Sequence, residues 1–148
     1  MEGVLIGVDV GTSSAKAVAL SLSGHVLAVA VRPYPILTPR PGWAEQDPQT
    51  WVEATCDTVC EVVEKAEIDP SGVLGLSVAG QMHGTVCVDA SGTPVRPAII
   101  WADQRSQREV DWVMGSVSCD DLARWIGNPL ATGFMLPTWL WLRAHEPK

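Results

Sequence analysis

An aspartate inside an apolar run is the first residue of this chain that demands a partner. It is Asp9, within Val4-Leu5-Ile6-Gly7-Val8-Asp9-Val10, and Gly11-Thr12-Ser13-Ser14 follows at once. A carboxylate in a strand costs free energy unless a cation, a proton or a hydrogen bond meets it. The turn is rich in N–H groups and hydroxyls, which is what binding a phosphate requires. Asp9 can hold Mg²⁺, an ion that takes one or two carboxylates together with water and phosphate oxygens. Gly11 lets the chain approach a ligand closely, and Thr12, Ser13 and Ser14 supply the donors. Lys16 adds a positive charge or points to solvent. These residues describe a corner for phosphoryl transfer from a nucleotide; the plain alternative is a polar hairpin turn beside a strand-end acid. The Gly-x-x-x-x-Gly-Lys spacing is absent, so a Walker-type loop is excluded.

Two further groups carry chemistry. Gly80-Gln81-Met82-His83-Gly84 ends a short apolar run, and Trp101-Ala102-Asp103-Gln104-Arg105 ends another. Ligands of α/β sheets bind beyond strand ends. Gln81 donates and accepts, and His83 does either near neutral pH, which suits a polyhydroxylated substrate. Trp101 beside Asp103 and Arg105 joins an apolar face to polar edges, a combination that holds sugars. The alternatives are a turn with a half-buried His83 and a salt-bridged helix start capped by Asp103.

The elements that must position these groups follow from hydrophobic pattern. Val4 to Val10, Ala15 to Leu20 and His25 to Val31 read as three strands of an antiparallel meander, with Ser23-Gly24 in the second turn. The proline-rich stretch 32–48 is an extended connection. Asp47-Pro48 then opens a helix, the Asp as N-cap and the Pro at the first helical position. Val52, Cys56, Val59, Val63 and Ala66 recur at helical spacing and define its expected buried face. Val73 to Ala79 reads as a buried strand after this crossover helix. Thr85 to Val88 and Val95 to Ile100 flank a turn at Asp89-Ala90-Ser91-Gly92. From Asp103 onward the chain is mostly helical, broken at Gly127-Asn128-Pro129 and Gly133. A last helix opens at Leu136-Pro137, and its run Thr138 to Leu142 exposes two Trp and two Leu unless something covers them. Continuation of the protein beyond Lys148 is the expectation drawn from that run.

Composition bounds the function. The 148 residues can build one domain with a real core. A net charge of −7, with 10 Lys and Arg against 17 Asp and Glu, disfavours nucleic acid and anionic membranes as partners. No apolar run approaches the ~20 residues that span a bilayer, and no signal peptide is visible, so a cytoplasmic location is expected. Cys56, Cys60, Cys87 and Cys119 lack zinc-ligand spacing and are expected to be buried or half-buried thiols.

Taken in order, Gly7-Val8-Asp9-Val10-Gly11-Thr12-Ser13-Ser14, Trp43-Ala44-Glu45-Gln46-Asp47-Pro48, Gly80-Gln81-Met82-His83-Gly84 and Trp101-Ala102-Asp103-Gln104-Arg105 resemble the N-terminal part of FGGY carbohydrate kinases, specifically the xylulokinase group. Gly127-Asn128, Gly133-Phe134 and His145-Glu146-Pro147 extend the resemblance to the end. Thr138 departs from it, standing where relatives usually carry Lys after the Pro. The resemblance implies an α/β, ribonuclease-H-like (actin-like ATPase) N-terminal domain, incomplete, occupying residues 1–148. It further implies ATP-dependent phosphorylation of D-xylulose to its 5-phosphate, with ATP and Mg²⁺ as cofactors. Asp9 would position metal and phosphate, and Gly11, Thr12, Ser13 and Ser14 would face the ATP phosphates. Gln81, Met82 and His83 would lie at the ketose, and Asp103 and Arg105 would shape its pocket. The general base and most of the adenosine site would belong to a C-terminal domain absent from this chain, leaving the isolated 148 residues inactive. Two other readings stand beside it: a kinase for another ketose, and a non-catalytic sugar- or phosphate-binding remnant.

Overall fold

The computed structural model describes residues 3–147, which form two compact units. The first comprises residues 3–36 and 48–81, the second 37–47 and 82–147.

In the first unit, β1 (Val4–Val10), β2 (Ser14–Ser21) and β3 (Val26–Pro33) form the expected antiparallel meander. After α1 (Pro48–Lys65) and a 3₁₀ turn (Pro70–Gly72), β5 (Val73–Gly80) adds parallel to β1, giving the sheet order β3-β2-β1-β5. Alternation puts Val4, Ile6 and Val8 of β1 with Ala17 and Ala19 of β2 on one face, where they meet Val62 of α1. Their partners on the other face, Leu5, Val29 and Val31 among them, remain exposed.

Three expectations are corrected here. The buried side of α1 is Ala54, Thr58 and Val62, while Val52 and Cys56 are exposed. Small residues set the closest approach of helix to sheet, and Val59, Val63 and Ala66 flank that line as partly buried neighbours. Strand β5 is not buried: Leu74, Leu76 and Val78 are exposed, because the strand forms the edge of the sheet. Cys56, Cys60 and Cys119 are exposed and only Cys87 is half-buried, since the first two lie on the outward side of α1 and Cys119 opens a surface helix.

The second unit is held by less regular structure. β4 (Glu45–Gln46) pairs antiparallel with β6 (Ala98–Ile99). The expected strands over 85–88 and 95–100 reduce to this short element and the bridges Thr85–Ile99 and Val88–Pro94. Asp89 closes the intervening turn by accepting the Ser91 and Thr93 N–H groups. Helices α2 (Gln107–Ser116), α3 (Cys119–Ile126) and α4 (Met135–His145) follow. Helix α4 begins one residue before the predicted start, and its apolar run divides. Trp141 and Leu142 pack with Ile99 and Trp43, whereas Trp139 stays exposed. Among the described residues no helix is long and apolar enough to cross a membrane.

Candidate functional site

In the first unit the candidate groups sit on the β1–β2 hairpin. Asp9 is exposed and lies directly opposite Lys16 in the ladder. Both border a shallow concavity of about 280 Å³ on the open sheet face, with Gly7, Val18 and Ser77. The turn closes through the Gly11 N–H, which donates to the Ser14 carbonyl at 3.0 Å. A side chain on Gly11 would meet that carbonyl at 3.3 Å, so the glycine is what allows the turn to close so tightly.

Tyr34 fixes this turn from below. Its hydroxyl donates to the Gly11 carbonyl at 2.6 Å, and its N–H donates to the Ser13 carbonyl at 3.0 Å. With those carbonyls engaged, the turn has one settled shape and Ser13 projects as an exposed hydroxyl. Burial, reinforced by the negative charge of Asp9, raises the Tyr34 pKa above its ordinary value, so the phenol stays a hydrogen-bond donor. Tyr34 escaped the sequence reading. The available signal was weak: it is the only tyrosine of the chain, set between Pro33 and Pro35. Gln81 directly follows β5, and its N–H donates to the Val10 carbonyl at 2.9 Å, at the end of β1.

In the second unit the candidates separate into two kinds. Asp103 and Arg105 are each about 1% exposed at the side chain and engage one another. Asp103 Oδ1 accepts the Arg105 N–H and Nε–H, each at 2.9 Å; Oδ2 accepts Arg105 Nη2 at 2.8 Å and the Ala44 N–H at 2.7 Å. Asp103 is therefore no helix cap. Arg105 Nη2 also pairs with Glu45 at 2.7 Å, and its guanidinium lies 3.6 Å from the centroid of the Trp43 ring. Arg96 bridges Glu45 and Glu146. This network ties residues 43–46 to the segment that carries Trp101. Glu45 is its hub, legible in the sequence only as part of a motif and not as a buried acid.

Met82, His83 and Trp101 form the open kind. All three are exposed. His83 adopts a positive φ of 67° and stacks on Phe134, centroids 3.8 Å apart and planes inclined by 5°. The first unit thus offers a polar turn beside an exposed carboxylate, and the second offers the exposed side chains of Met82, His83 and Trp101 together with a buried ion-pair network.

Known proteins match the chain along nearly its whole length. The profile of the FGGY family of carbohydrate kinases, N-terminal domain, matches residues 4–148. A xylulose kinase of Staphylococcus epidermidis is 37% identical over 151 residues, covering 100% of this chain and 29% of the relative. A xylulose kinase of Escherichia coli (strain K12) is 35% identical, covering 97% of this chain and 29% of the relative. The crystal structure of xylulose kinase from Rhodospirillum rubrum superposes with a TM-score of 0.90 at 32% identity, over 97% of this chain and 30% of that one. The chain therefore spans less than a third of the length of the relatives it matches.

Proposed function

Because this chain belongs to the FGGY family of carbohydrate kinases, we propose that it forms part of an ATP-dependent kinase that converts D-xylulose to D-xylulose 5-phosphate. The observation that carries this reading is the β1–β2 hairpin, where exposed Asp9 adjoins a turn whose carbonyls are held by Tyr34. Asp9 and the hydroxyls of Thr12, Ser13 and Ser14 are oxygen donors of the hard kind that suits Mg²⁺ and its phosphate. Mg²⁺, when bound, offsets the charge on the transferring phosphoryl group. Gly11 to Ser14 cradle the ATP phosphates and Asp9 positions the metal. Gln81, Met82 and His83 contact the ketose, while Asp103 and Arg105 shape its pocket indirectly, by holding residues 43–46 and the Trp101 segment in register. ATP as phosphoryl donor fits a cytoplasmic enzyme. A second domain, outside these 148 residues, supplies the general base and most of the adenosine site. The share of the relatives' length that the chain covers supports that division.

Phosphoryl transfer depends on positioning both substrates between charged groups. The isolated 148 residues are accordingly expected to form no ADP above background with D-xylulose. The full-length protein that contains them should form ADP with ATP, Mg²⁺ and D-xylulose, and Asp9→Asn should lower its kcat by roughly 10²-fold or more. A substrate panel that yields turnover with another ketose and none with D-xylulose would replace the substrate. Binding without turnover would leave a non-catalytic sugar-binding protein.

A further inference from the structure

We propose that Phe134 is a positioning residue that sets the plane of the His83 imidazole toward the sugar, an inference resting on the role given to His83 above. The two rings stack nearly parallel at 3.8 Å. His83 is exposed and sits at a φ of 67°, in the left-handed region that residues other than glycine enter reluctantly. Such a conformation persists where its surroundings over-determine it. An exposed imidazole would otherwise sample several rotamers, and the Phe134 face selects one.

A second observation concerns why phenylalanine stands at this place. Phe134 occupies the N-cap of α4, with φ −78° and ψ 153°, and makes no side-chain capping bond. Ser, Thr, Asp or Asn would favour helix initiation there. The preceding Gly133, at φ 73°, presses so closely on Trp101 that a Cβ would fall 2.2 Å from the Trp101 carbonyl oxygen. The start of α4 is thus braced on the Trp101 backbone by one residue and on the His83 ring by the next. These contacts set the Trp101 backbone and the His83 ring against a common support, and the cap is forgone for it. Phe134 acts through His83.

The test uses Phe134→Leu and Phe134→Tyr with two independent readouts. In NMR spectra of the 148-residue chain, the Phe134 ring current places the His83 ring protons upfield of those of exposed His25. Phe134→Tyr keeps that displacement and Phe134→Leu moves the protons back toward the His25 positions. In the full-length protein, Phe134→Leu raises the ketose KM roughly two- to tenfold, the range one aromatic pair is worth. The ATP KM and kcat stay within about twofold, and Phe134→Tyr stays near wild type. Should the Leu variant fail to fold, Phe134→Met, apolar and flexible but ringless, is read in its place. Unmoved His83 protons in the ringless variant overturn the proposal, as do moved protons with an unchanged ketose KM. A wild-type protein that phosphorylates no ketose sinks the kinase reading and this role with it, and the His83 shifts then distinguish that failure from absence of the stack.

Discussion

The two units place their candidate residues by different physics. In the first, Asp9 and the Gly11–Ser14 turn are carried on a ladder of backbone hydrogen bonds, with paired registers running from Val4–Ser21 to Val10–Ala15. Side chains there need only alternate. In the second, regular pairing is limited to the two-residue strands β4 and β6, and position is held by Glu45, Arg96, Asp103, Arg105 and the rings around them. A ladder spreads its support over many similar bonds, so the loss of one is modest. A buried ion-pair cluster concentrates it, because removing one member leaves an uncompensated charge. The polar turn is accordingly robust to substitution of its exposed groups, and the ion-pair network around Glu45 is not.

That contrast is sharpest for Asp103→Ala. Removing the carboxylate leaves the Ala44 N–H without its acceptor and the buried Arg105 guanidinium with Glu45 as its remaining anion, and should cost about 3 kcal/mol in urea unfolding of the chain. A loss below 1 kcal/mol would mean the network is ornamental and the contrast false. Gly133→Ala comes next, at about 2 kcal/mol or more, from the clash with the Trp101 carbonyl and the strained φ together.

Tyr34→Phe tests the ladder-held unit and should cost about 1 kcal/mol, one hydrogen bond to a backbone carbonyl. It also changes the pH dependence. The folded Tyr34 pKa is raised, so its contribution is fully present below the ordinary tyrosine value of 10.0 and is lost as pH rises through the raised value. Because Tyr34 is the only tyrosine, phenolate absorbance reports its titration alone. The variant should show a flatter loss of stability in alkali. The smallest effect on stability belongs to Asp9→Asn, within about 0.5 kcal/mol because the carboxylate is exposed. The same variant has the largest expected effect on turnover, which separates function from support within one hairpin.

Legibility in the sequence followed this division. The meander, the crossover helix and the existence of a strand after it could be read from periodicity and turn residues, since each depends on near neighbours in the chain; its parallel pairing with β1 does not. The buried stripe of α1 was misjudged because helical spacing favoured Val52 and Cys56, whereas packing chose the line Ala54, Thr58 and Val62, which faces the sheet. Burial of β5 was misjudged because an apolar run does not reveal whether its strand is central or at an edge. Asp103 read as a sugar-pocket residue with a helix cap as the alternative, and the 59-residue separation from its partner Ala44 shows why local reading could not find its inward contacts.

The sequence by itself determined the family, the α/β order of elements and the hairpin that presents Asp9, because motif identity, hydrophobic period and turn chemistry are local properties of the chain. Tertiary structure alone decided that Tyr34 braces the turn, that Asp103 turns inward onto the Ala44 N–H and Arg105 onto Glu45, and that Phe134 meets His83. Those contacts join residues 23 to 60 positions apart in sequence. A side chain's partner at such separation is set by how the backbone folds, not by its neighbours in the chain.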